Sequence, residues 1–299
     1  MSASFAPGKG VEQYNPRVKQ RQNASAAMKW FLFGATALAI VLLGMLLYSI
    51  VAPGLPWLKW HLITNMPSRI PERAGMNSAI WGSIWIVLGA AVMSFILGLG
   101  TAIYLEEYAE KNRWTSLIQT NISNLAGVPS IVYGLLGLVV FVDWMQMGRS
   151  LLAGVLTMGL LILPVVVIAS REAIRAVPPS LREAAYGVGA TKWQTVRHHV
   201  LPSAFPGIMT GIILSMSRAI GETAPLLVVG GASQVLFRPS SPLDPFMVMP
   251  LQIYNWTGRP QEEFEQLAAA AIIVLMIVLL IMNSVAIGLR QHFSRKARW

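Results

Sequence analysis

Not one of the 299 residues is cysteine, and charged side chains make up only 12% of the chain. The first absence excludes disulfides and thiolate metal sites and says nothing of compartment, since an inner-membrane protein needs neither. The second reaches further: uncharged stretches too long for a soluble core recur from residue 30 to residue 289, with no soluble block between them. No G-x-x-x-x-G-K-[ST] run occurs, so the chain encodes no phosphate-cradling loop for nucleotide hydrolysis. Histidines are few and scattered. His198 and His199 are neighbours that point apart on a helix, while His61 and His292 are expected on opposite membrane faces, so no catalytic set assembles. An internal repeat, common in secondary transporters, is also missing.

What is abundant is apolar: 55% of the residues. Charge-free windows cover 30–58, 74–105, 114–142, 150–170 and 266–289, each long enough for a spanning helix of about 20 residues. A further apolar window, 198–237, carries Arg218 and Glu222 near its middle. The expectation is an all-α integral membrane protein with six spans near 30–51, 79–104, 117–141, 151–170, 204–229 and 267–289. They form one domain over 29–290, between polar tails at 1–28 and 291–299.

The net charge of +10 is a matter of topology. Of the 23 Lys and Arg residues, sixteen fall on the side of the two tails, six on the other, and Arg218 within the membrane. The positive-inside rule then puts both tails in the cytoplasm and makes membrane lipid, with no nucleic acid, the surroundings of the basic residues. Residues 1–28 followed by an uncharged 22-residue run read as a retained anchor, not a cleaved leader. The sequence leaves the segment from Ala52 to Asn77, on the far side, unassigned, with a plain surface loop preferred and receptor docking as the alternative.

Residues 171–203 are the most patterned polar stretch. Pro178 and Pro179 stop what precedes, Ser180 and Glu183 have capping-box spacing, and a short helix is expected from about Leu181. Gly187 and Gly189 interrupt it, Thr191 and Gln194 repeat the capping spacing, and Pro202 is expected to end the second piece. Helix-turn-helix spacing raises DNA binding, but both ends are tied to membrane spans.

Two spans carry irregularities. Arg218 and Glu222 stand at i and i+4, on one helix face. Each costs about 2.5–3.5 kcal/mol at a helix centre, and the apolar residues between Phe205 and Val229 return only about 3–6 kcal/mol in all. That face therefore turns toward protein or water. Pro225, just beyond Thr223, is expected to kink the helix and free the carbonyl of Gly221. The planar fork of Arg218 suits an oxyanion, and Glu222 would tune it or accept a hydrogen bond from the proton that phosphate carries and sulfate lacks. The plainer alternative is an intrahelical ion pair that organises packing. In the third span Pro129 is expected to free the carbonyl of Leu125, with Ser130 and Tyr133 one turn apart, although Gly127, Ser130 and Gly134 also suit close helix packing.

Glu183-Ala184-Ala185, Gly189 and Leu201-Pro202 resemble the EAA loop of ABC importer permeases, with His199 where that pattern has isoleucine. Together with YLEEYA at 104–109, GVPSIVYGL at 127–135 and SRAIGETAPLL at 217–227, the sequence is similar to the permeases of the phosphate-specific (Pst) ABC transporter, the A subunit more than the C subunit. The resemblance implies a type I importer fold and a heterodimer with a homologous C-type permease. It further implies a homodimeric ATPase, which holds ATP and Mg so that this chain has no cofactor, and an extracytoplasmic phosphate-binding protein. It implies coupling through Glu183, Ala184, Ala185, Gly189, Leu201 and Pro202. The phosphate route would be at Arg218 and Glu222, supported by Gly221, Thr223, Pro225, Pro129, Ser130 and Tyr133.

Overall fold

The computed structural model describes residues 16–230 and 235–296. Of the expected tails, residues 1–15 and 297–299 lie outside the described residues. The chain divides into two compact units, Met1–Ala52 and Pro53–Trp299. Helix α1 (Pro16–Gly54) makes up the described part of the first and runs two residues into the second.

In the second unit α2 (Trp60–Thr64) precedes α3 (Asn77–Ile103), which a π-turn extends over Tyr104–Tyr108. Then come α4 (Arg113–Ala126), α5 (Ser130–Gly137) with a π-helical continuation to Trp144, and α6 (Leu151–Arg175). α7 (Pro179–Gly187) and α8 (Lys192–Thr195) form the polar loop. α9 (Leu201–Gly221), α10 (Ala224–Gly230), α11 (Met249–Thr257) and α12 (Glu262–Lys296) complete the chain. Among the described residues five helices can cross a membrane by length and composition, or six if α4 and the α5 segment, bent by 102°, count as one broken span.

Apolar burial gains little between helices in lipid, so small residues and interhelical hydrogen bonds set the contacts. α3 and α6 lie against each other, with the Ser94 hydroxyl donating to the Gly159 carbonyl at 3.0 Å. α9 packs on α6 where Gly207 faces Ala173 and Gly211 faces Ala169; a Cβ on Gly207 would stand 2.8 Å from that of Ala173. Two apolar cores result. One gathers Leu62, Met76, Ile86, Met158, Phe246 and Trp256, and the other Val166, Ile174, Val200 and Ile208 beside the polar loop.

Three expectations are corrected. The third span is not one helix, because the chain turns at Gly127-Val128-Pro129. The fifth is not a kinked helix over 204–229: α9 begins earlier, through α8, and stops at Gly221. The segment after Ala52 is not a plain loop, since Leu62, Ala74 and Met76 are fully buried and Met76 N–H donates to the Leu62 carbonyl at 2.8 Å. Between α10 and α11, Val235, Phe246, Met247 and Val248 are likewise buried. The carbonyls of Asp244 and Pro242 accept from Leu151 and Leu152 N–H, both at 2.8 Å, satisfying donors that the first turn of α6 leaves open.

Candidate functional site

At the end of α9 the helix stops without a glycine in left-handed conformation. Glu222 is extended (φ −75°, ψ 122°), and the carbonyl of Thr223 starts α10 by accepting from Leu227 N–H at 2.9 Å. Pro225 therefore does not kink a continuous helix. It lies in the first turn of a new one, where its missing N–H costs nothing. The Arg218 Nε donates to Glu222 Oε1 at 3.1 Å, so the i, i+4 pair forms although Glu222 has left the helix. The two are unequally covered, with the Arg218 side chain 52% exposed and that of Glu222 18%. Among the described residues no other acceptor bonds the guanidinium, which leaves its two terminal nitrogens open. A Cβ on Gly221 would meet nothing within 4 Å, so the space beside the break is open too. One residue earlier, the Ser217 hydroxyl bonds Asn283 Oδ1 on α12 and fixes the rotation of α9.

The break in the third span meets this one. A Cβ on Gly134 of α5 would stand 2.7 Å from Pro225 Cα, a backbone approach that only glycine permits. Tyr133 beside it is buried, and its hydroxyl donates to the Leu125 carbonyl at 2.8 Å. That is the carbonyl expected to be freed by Pro129, and Tyr133 closes the turn between α4 and α5 with it. Pro129 is exposed and Ser130 partly so, and among the described residues no hydrogen bond joins Ser130 to Arg218 or Glu222.

In the polar loop the Thr191–Gln194 capping box forms, with Thr191 N–H donating to Gln194 Oε1 at 2.8 Å. The Ser180–Glu183 box does not, because α7 already begins at Pro179, which puts Ser180 inside the first turn. Gly189 has φ +86°, the left-handed turn that follows α7. Glu183 and Ala184 are exposed, Ala185 is buried, and Val188 at the turn is 86% exposed, flanked by half-exposed Tyr186 and Trp193. Leu201 and Pro202 do not end the second piece. A π-turn over Val196–Val200 carries the chain past Pro202, so Lys192–Gly221 is one continuous helix from the loop to Arg218.

Sequence reasoning missed the acidic pair at the end of α3. Glu106 bonds Arg171 Nε at 2.8 Å and Arg175 Nη2 at 2.9 Å, and Glu107 bonds Arg182 Nη2 at 2.7 Å. Arg182 also donates to the carbonyls of Val177 and Ile174 at the end of α6. The signal was present as two carboxylates at the margin of an apolar run, but their partners lie 65 to 75 residues away.

The model of the binding-protein-dependent transport system inner membrane component family matches residues 98–299. The chain belongs to that family. It is a membrane permease of the ABC importer kind, whose members work with a separate ATPase and a binding protein. Among curated relatives it is 35% identical over 261 residues to phosphate transport system permease protein PstA 1 of Mycobacterium tuberculosis H37Rv, covering 83% of this chain and 81% of that one. It is 34% identical over 272 residues to PstA of Yersinia pestis, covering 90% and 89%. Solved importer structures share the fold. A bacterial transporter involved in import of the acidic polysaccharide alginate aligns with a TM-score of 0.65 at 17% identity, covering 91% of this permease and 99% of that chain. The inward-facing MetNI methionine transporter aligns at 0.60 and 15%, covering 73% and 95%.

Proposed function

We propose that this permease is one subunit of an ATP-driven phosphate importer and forms half of the phosphate route, the other half being a homologous C-type permease. The observation that carries the proposal is the half-open guanidinium of Arg218 at the break between α9 and α10. It sits in a chain about a third identical, over most of its length, to permeases named for phosphate transport. Glu222 occupies Nε, and the terminal nitrogens keep the planar donor pair that matches two oxygens of a tetrahedral oxyanion. Charges at membrane depth face protein or water, so the pair would border an aqueous passage between the two permeases.

With both tails cytoplasmic, the exposed Glu183, Ala184, Tyr186 and Val188 would dock on a homodimeric ATPase that binds ATP and Mg, so that this chain would need no cofactor of its own. One helix from Lys192 to Gly221 then places the coupling loop about 39 Å from Arg218 at 1.5 Å per residue. Closure of the ATPase dimer would tilt that helix and open the passage outward to a loaded phosphate-binding protein, and hydrolysis would reset it. The test is co-reconstitution of the four components in vesicles with labelled phosphate, with sulfate and molybdate as competitors. Uptake that needs ATP and resists both competitors is expected; equal competition by either would reassign the substrate.

A further inference from the structure

Consecutive residues in a helical turn point in different directions, so three in a row fan out toward different neighbours. The last three residues of the π-turn that ends α3 do so. Glu106 holds the end of α6 through Arg171 and Arg175, and the Arg171 and Glu106 side chains are only 9% and 14% exposed. Glu107, 6% exposed, holds α7 through Arg182, one residue before the exposed Glu183. Tyr108 carries the Lys192 ammonium of α8 over its ring at 5.0 Å. Both pieces of the coupling loop and the helix before it are thus fastened to the end of α3. We infer that Glu106, Glu107 and Tyr108 are positioning residues that make α3, beside α9, a second lever carrying ATPase motion into the membrane.

Along the chain α7 is joined to α8 and α9 by the turn at Gly189, which has no side chain and takes a conformation other residues resist, and across space its Leu181 packs beside Val200 and Leu201. The turn itself passes on a push poorly, so the load falls on the contacts that α7 makes across space. The Glu107–Arg182 pair gives it a direct path, and Arg182 further pins α7 to the last carbonyls of α6, Ile174 and Val177. α3 lies along α6 for much of its length, so displacement of its end would move both.

This inference rests on the transport reading above, and the experiment separates the two. The whole complex is reconstituted, and labelled phosphate transported per ATP hydrolysed is measured for Glu107→Leu, Tyr108→Leu and Tyr108→Phe. Glu107→Leu and Tyr108→Leu are expected to lower the ratio at least fivefold with the ATPase still bound, and Tyr108→Phe, which keeps the ring, to stay within twofold of the parent. A parent ratio in Glu107→Leu, or equal loss in Tyr108→Phe and Tyr108→Leu, overturns the inference. Should Glu107→Leu not assemble, the isosteric Glu107→Gln is expected to show the same loss, and a parent ratio there overturns it as well. Spin labels at Glu110→Cys and Ser180→Cys, in a chain with no other cysteine, report the spacing of α3 and α7 without reference to substrate. A narrow distribution that broadens in Glu107→Leu supports the fastening even if phosphate is not carried, and an unchanged one refutes it. Absence of ATP-dependent phosphate uptake in the parent complex refutes the transport reading alone.

Discussion

Replacing Arg218 by leucine distinguishes an aqueous from a lipid surrounding by the sign of the stability change. Its side chain is 52% exposed and its one bond, to Glu222 at 3.1 Å, is that of a partly exposed pair. Facing water, such a pair contributes about 0.2–1 kcal/mol, and a little more is lost because Glu222, 18% exposed, is left without its partner. The variant should then be destabilised by about 1 kcal/mol. Facing acyl chains, removal of the charge would instead stabilise by about 2.5–3.5 kcal/mol, with a few tenths more from the leucine. At about 2–4 °C per kcal/mol for chains approaching this size, the midpoints differ in direction. Thermal unfolding in lipid nanodiscs, followed beside phosphate uptake, is the assay. A midpoint lowered by a few degrees, with uptake down at least tenfold, is expected. A raised midpoint would refute the aqueous placement.

Gly134→Val should cost about 1–3 kcal/mol by overpacking, since the 2.7 Å approach is to Pro225 backbone, and should lower uptake while ATPase co-purification stays unchanged. Gly189→Val forces a branched side chain into φ +86°, a strain of about 1–2 kcal/mol, and should weaken ATPase binding about tenfold in titration of the complex. Asp244 accepts from the N–H of Ser240 and Ser241, both at 2.8 Å, which holds its carboxyl below the ordinary value of 3.8. A depressed folded pKa means order present above that value and lost as pH falls through the folded pKa. The slower amide exchange of Ser240 and Ser241 relative to Asp244→Asn should accordingly be present at neutral pH and vanish on strong acidification.

Much of this was legible locally. The long uncharged windows reappear as α1, α3, α6 and α12 because length and hydropathy alone decide a span. Thr191 and Gln194 cap as their spacing requires, and Pro129 marks a break at which the Leu125 carbonyl accepts from Val128 N–H and from the Tyr133 hydroxyl. The failures have a common source in proline. Pro179 starts α7 and displaces Ser180 from the cap, Pro225 starts α10 where a kink was expected, and Pro202 sits within a helix that a π-turn carries past it. A proline excludes a donor at one position without saying whether the chain stops, restarts or widens its turn. The Glu106 and Glu107 pairs and the meeting of Gly134 with Pro225 join distant segments, and only the packing of α3, α5, α6 and α10 brings them together.

The most direct measurement is entry of labelled phosphate into vesicles bearing this permease, the proposed C-type partner and the ATPase, with the binding protein outside. Counts should rise only when nucleotide, ATPase and binding protein are all present, and should fall to background with Arg218→Lys, which keeps the charge and loses the fork. Accumulation without nucleotide, or full accumulation in Arg218→Lys, would contradict the proposed route.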